Sequence, residues 1–130
     1  GNQSDMIREI DKIISDISIR MKEIWKDTIV VTVTEFGRTA NENGSKGTDH
    51  GYASCMILAG GLLRKAQIVT DWPGLKPRSL YDGRDLKMTI DARDIYSEVV
   101  SKVFNLDPEL VTRDVFLGYK PKKDWGLLRS

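Results

Sequence analysis

The sequence predicts an α/β domain in which a mostly parallel sheet is flanked by helices. Three observations predict it. The segment Thr28-Ile-Val-Val-Thr-Val-Thr34 is β-branched and nearly all apolar, which suits a strand covered on both faces. Ala53 to Ala59 is a second apolar run of strand length. Helical patterns stand at either end of the chain, and two buried strands between them fit an α/β layer.

The first helix is capped by Ser4 or Asp5. Met6, Ile7, Ile10, Ile13, Ile14, Ile17, Met21 and Ile24 then recur at three- and four-residue steps and draw one apolar stripe. Asp11, Lys12, Asp16, Arg20 and Lys22 lie off it, and Ile19 marks a second contact. Asp27 ends the pattern, and the first strand begins. From Glu35 to Gly51 there is no clean periodicity, and Asn43-Gly44 signals a turn. A long polar loop between apolar strands either serves a site or lacks order. Ala53 to Ala59 is stopped by Gly60-Gly61, a short helix being the alternative reading. Gln67 to Thr70 is expected as a short strand, and Trp72 to Pro77 as a loop. Leu86, Met88 and Ile90 alternate with Lys87 and Thr89, as in a half-exposed edge strand.

Asp91 caps the next helix, whose apolar face is Ile95, Val99, Val100, Val103 and Phe104. Asn105 ends it in the left-handed conformation. Asp107-Pro108 opens a short helix that reaches about Arg113. Lys120 to Ser130 is basic, with Trp125, Leu127 and Leu128 scattered through it, and is expected as a solvated end.

A chain of 130 residues, 40% of them hydrophobic, is one domain with one core. Its 20 basic and 19 acidic residues leave a net charge of +1, so no strong field points to nucleic acid or a membrane surface. The longest apolar stretch, Tyr52 to Leu63, is too short to span a bilayer. Cys55 has no partner for an internal disulfide. Gly1 stands in place of Met, which is expected of a piece cut from a longer protein after tag removal.

Glu35, Arg38, Asp49 and His50 fall beyond the carboxyl ends of the expected strands, where open parallel sheets place their chemistry. A lone histidine is more often structural than a ligand. Here Asp49 precedes it and glycines flank the pair. Carboxylate and imidazole suit zinc, manganese or iron, and Glu35 is the best local third ligand. Arg38 can hold a phosphate or sulfate with its planar fork, a salt bridge to Glu35 or Glu42 being the alternative. No nucleophile stands beside a base in a recognisable motif, and the phosphate-loop and dinucleotide fingerprints are absent.

Several of these stretches occur together in a known family. Val30-Val-Thr-Val-Thr-Glu-Phe-Gly-Arg-Thr39, Gly47-Thr-Asp-His-Gly51, the Gly60-Gly61 pair, Asp71-Trp-Pro-Gly-Leu75 and Tyr81-Asp-Gly-Arg-Asp-Leu86 resemble the C-terminal part of a bacterial domain-of-unknown-function family related to the sulfatases and alkaline phosphatases. The resemblance covers roughly Asp5 to Tyr119. It implies a three-layer α/β/α sandwich with a mostly parallel sheet, a C-terminal piece of an alkaline-phosphatase-like fold. In the wider superfamily two metal ions sit at the strand ends, and a Ser or Thr attacks phosphate or sulfate esters. Glu35 then stands where a metal-binding Asp usually stands, and His50 near a later metal-binding His. Phe36 stands where the superfamily has a His and cannot bind metal.

The resemblance implies the following expectations. The whole chain, 1–130, is a C-terminal fragment of a sulfatase-like or alkaline-phosphatase-like hydrolase. A divalent metal (zinc, manganese or calcium) is held by Glu35, Asp49 and His50, and Arg38 binds a small anionic ester. The parent is periplasmic or exported, and the isolated chain is inactive. The alternative is a catalytically dead binding or assembly domain. Apolar surface left uncovered in a fragment predicts a homo-oligomer.

Overall fold

The computed structural model describes residues 2–129. The chain opens with helix α1, Asn2–Met21. Lys22 takes a left-handed φ of 46°, and a 3₁₀ segment, Lys22–Asp27, continues to Thr28. Four two-residue strands follow: β1 Val30–Val31, β2 Gly37–Arg38, β3 His50–Gly51 and β4 Leu58–Ala59. Helices α2, Ala92–Val103, and α3, Pro108–Leu110, complete the chain with a π-helical turn at Val111–Val115. Among the described residues no helix is long and apolar enough to cross a membrane.

The parallel three-layer sandwich is not formed. The protein is a small α/β domain whose two sheets are both antiparallel and two-stranded. β1 pairs with β4 through Val30↔Ala59 and Val31↔Leu58, and β2 pairs with β3 through Gly37↔Gly51 and Arg38↔His50. The physical reason lies in the connection. Parallel neighbours need a crossover of a dozen or more residues, usually a helix. The segment between Arg38 and His50 makes no helix because the Asn43 side chain folds it into a turn. Asn43 Oδ1 accepts from the backbone N–H of Ser45 and of Gly47, each at 3.0 Å. The chain therefore returns beside itself as an irregular hairpin. Nor are the strands covered on both faces: Val33 is 71% exposed. Between the two sheets the ladder is carried partly by a side chain, since the Ile57 N–H donates to Thr32 Oγ1 at 2.9 Å.

Two further strands expected from the sequence, at Gln67–Thr70 and Leu86–Ile90, are irregular chain. The boundaries of α2 and α3 follow their caps closely, whereas α1 begins at Asn2, so Ser4 and Asp5 lie inside its first turn and do not cap it. Asp91 Oδ1 accepts from the Arg93 N–H at 2.9 Å, and the Arg93 guanidinium closes on both Asp91 oxygens. That hydrogen bond holds the Asp91 carboxyl below its ordinary value. Asn105 has φ 50°, and Asp107 caps α3 with a 2.8 Å bond from the Glu109 N–H.

The core sits where the sequence reading placed a solvated tail. Leu127 and Leu128 are buried with Ile95 of α2, and Ile29, Leu58, Leu62 and Ile90 pack around them. The tail is held because α2 turns acidic side chains inward, one turn apart. Asp94 Oδ1 accepts from Tyr119 Oη at 2.7 Å and from the Lys122 N–H at 3.0 Å. Glu98 Oε1 accepts from the N–H groups of both Leu127 and Leu128. Burial, then the bond to Asp94, pushes the Tyr119 hydroxyl up to about 12. On the other side of the tail, the Arg64 N–H donates to the Leu127 carbonyl and the Arg129 N–H to the Leu62 carbonyl. Phe104, expected on the apolar face of α2, is 67% exposed instead.

Candidate functional site

The hairpin formed by β2 and β3 brings Arg38 and His50 together as a cross-strand pair. The two backbones approach so closely that only glycine fits opposite glycine. A Cβ on Gly37 would strike the Ala53 backbone, and one on Gly51 the Arg38 carbonyl. Thr39 is buried at the mouth of the loop. Its hydroxyl accepts the Asp49 N–H at 3.1 Å, and its own N–H donates to the Asp49 carbonyl at 3.1 Å. These bonds, with the ring around Asn43, fix the polar loop against the hairpin.

Arg38 is exposed and makes no ion pair among the described residues, so the expected alternatives, Glu35 or Glu42, are not its partners. Its Nη1 donates to the Thr48 carbonyl at 3.0 Å, which anchors the guanidinium and leaves the rest of its fork open. The His50 ring is exposed and lies flat on Phe36, with centroids 4.2 Å apart and planes 10° from parallel. Tyr52, two residues after His50, stacks on Tyr81 with centroids 4.3 Å apart. Arg84 reaches the same face, where Nη2 donates to the His50 carbonyl at 3.3 Å and Nη1 stands 3.5 Å from Asp85.

The sequence reading gave Arg84 and Tyr81 no place in the site and did not see the role of the Asn43 side chain. A signal for the first two was present. Asp82-Gly83 is a tight-hairpin dipeptide, and both residues take positive φ, 51° and 64°. The turn pairs Tyr81 with Asp85, and Asp85 bridges back to Thr39.

The expected metal ligands are placed differently from one another. Asp49 and His50 are neighbours in the chain, but Asp49 Oδ1 is engaged by Asn43 Nδ2 at 2.9 Å. Glu35 is an exposed residue in a bend before Phe36. Among the described residues no three His, Cys, Asp or Glu side chains are grouped to hold a metal ion. The His50 ring lies against Phe36, which has no atom to offer a metal.

The hydroxyls nearby are also committed. Thr34 Oγ1 donates to the Phe36 carbonyl, Thr39 Oγ1 to the Asn41 carbonyl, and Ser45 Oγ to Asn43. Thr48 Oγ1 is buried without a partner, so it has no base beside it either. The arrangement can bind an anion through Arg38 and offer flat aromatic surface next to it.

The family model described as "Protein of unknown function (DUF1501)" matches residues 1–116. The chain belongs to that family. The match takes in the first helix, both sheets and the whole aromatic–arginine face of this DUF1501 chain, and it ends just before the tail that completes the core. It carries nothing about sulfatases or alkaline phosphatases. No curated protein and no solved structure matches the chain.

Proposed function

We propose that the β2–β3 face of this DUF1501 chain holds the charged group of a small phosphate or sulfate ester, with Arg38 as the anion-binding residue. The observation that supports it is an exposed guanidinium with no ion pair among the described residues, anchored by its bond to Thr48. A guanidinium fork matches the oxygens of phosphate and sulfate. Arg84 donates to the His50 carbonyl at 3.3 Å, its charge shared with Asp85 at 3.5 Å. In this reading the chain binds without cleaving: among the described residues the threonine and serine hydroxyls near Arg38 bond to carbonyl oxygens or have no partner, none of them a carboxylate or imidazole. Hydrolysis of the ester, in a parent of the sulfatase or alkaline phosphatase kind, draws on groups beyond this face.

A second reading, a non-catalytic binding or assembly domain, is favoured by Phe36, which stacks on His50 and supplies no ligand or acid–base group of its own. 4-Nitrophenyl phosphate and 4-nitrophenyl sulfate separate the two. Calorimetry is expected to show binding by the native chain and a loss of about tenfold or more in Arg38→Ala, the worth of one charged hydrogen bond. No nitrophenolate should form. Equal affinity in Arg38→Ala would remove the ester-binding reading. Release of nitrophenolate that disappears in His50→Ala would show that the chain itself cleaves.

A further inference from the structure

The stack of Phe36 on His50 stands next to Arg38. Phe36 comes two residues before Arg38, and His50 is the cross-strand partner of Arg38. Cross-strand partners hold their Cβ atoms about 5 Å apart on one face of a ladder. The guanidinium and imidazole stems therefore rise side by side, with the Phe36 ring laid on the imidazole. Phe36 remains 47% exposed although one of its faces meets His50. Among the described residues neither ring stacks on a further ring or lies under a cation. Two rings within 10° of parallel offer a flat surface on which another planar ring can stack with an offset.

Charge alone does not make this a strong anion site. Glu35 and Asp49 neighbour Phe36 and His50 in the chain, and Arg84 is shared with Asp85. A bare anion gains one open fork and little more. A ligand that binds well draws on the stack too. We infer that the ester held by Arg38 carries a planar aromatic ring, stacked on the Phe36–His50 pair, and that Phe36 is the residue that reads it. This rests on the ester-binding reading and narrows it to aryl esters and nucleotides, which share a flat ring joined to an anion.

Calorimetry on the full chain with methyl phosphate, phenyl phosphate, cyclohexyl phosphate and adenosine 5′-monophosphate tests it. Phenyl phosphate or the nucleotide is expected to bind about tenfold tighter than methyl phosphate, the worth of one stacked ring. Whichever shows the gain names the source of the ring. Phe36→Leu keeps apolar bulk without the flat ring, so it should abolish the gain and leave methyl phosphate binding unchanged. Phe36→Tyr should keep the gain. Cyclohexyl phosphate binding as tightly as phenyl phosphate and the nucleotide would overturn the planar ring. Equal binding of all four esters, each lost in Arg38→Ala, would overturn the ring and leave the ester-binding reading standing. No binding of any of them would remove both. A preference that survives Phe36→Leu and disappears in Tyr81→Leu would move the ring to the other stack and overturn the role of Phe36.

Discussion

α1 and α2 are both amphipathic helices of one chain, and they are used in opposite ways. α1 has eight apolar positions in its pattern with Ile24, yet Met6, Ile7 and Ile13 are more than half exposed. α2 buries two carboxylates, Asp94 and Glu98, together with Ser97 and a single isoleucine. The difference teaches that an apolar stripe marks a face available for packing but does not say what covers it. What decides burial here is the partner. α2 has the C-terminal tail, whose free N–H groups need acceptors, and α1 has no comparable partner among the described residues.

The largest expected effect breaks this comparison at its packed side. Leu128 is 1% exposed, so Leu128→Ala should cost about 3 kcal/mol in urea unfolding through lost burial and the cavity left behind. Ile13→Ala on α1 should cost well under 1 kcal/mol at concentrations where the chain is monomeric. Comparable losses at the two sites would mean that α1 is covered within one chain after all.

The next effect separates charge from packing. Glu98→Ala leaves the Leu127 and Leu128 N–H groups buried without an acceptor, an expected loss of about 2–3 kcal/mol. Glu98→Gln keeps an acceptor oxygen and replaces Oε2, which has no partner, so it should cost clearly less. Identical losses from the two changes would show that the carboxylate charge, not the acceptor, holds the tail.

The smallest effect belongs to the cap of α2. Asp91→Ala should cost about 1 kcal/mol at neutral pH. The Asp91 carboxyl is held below its ordinary value by Arg93, so the contribution is fully present above about pH 4 and is lost as pH falls through the lowered value. The variant should therefore lose less stability than the native chain between neutral pH and strong acid. Parallel pH profiles would rule out that coupling. At the alkaline end the raised hydroxyl of Tyr119 works in the opposite sense. Its contribution is intact below pH 10 and disappears as pH climbs towards about 12.

Local chemistry was legible in the sequence wherever one side chain decides the backbone. Asp91, Asn105 and Asp107-Pro108 mark the helix ends where they stand, and Asn43-Gly44 does make a turn. Sheet direction was not legible. The Thr28–Thr34 run has the composition of a parallel strand, but direction is set by the length and conformation of the connection, and a single asparagine ring turns that connection back. The tail was misjudged because its charges outnumber its apolar residues, while the two that matter, Leu127 and Leu128, are adjacent and too few to show a period. At the candidate site, Arg38 and His50 were chosen from their types and neighbours, and the hairpin does pair them. Glu35 and Asp49 were joined to them as neighbours able to bind metal, and among the described residues no three such side chains are grouped to hold an ion.

The most direct test of the anion-binding face is an NMR titration of the labelled native chain with 4-nitrophenyl phosphate. Other basic places compete, among them the cleft beside Lys102 and Arg129 and the tail lysines Lys120, Lys122 and Lys123. Saturable shifts confined to Arg38, Thr48, His50 and Arg84, and absent in Arg38→Ala, are the result expected here. Shifts centred on the cleft or the tail, or equal in the Arg38→Ala chain, would contradict it.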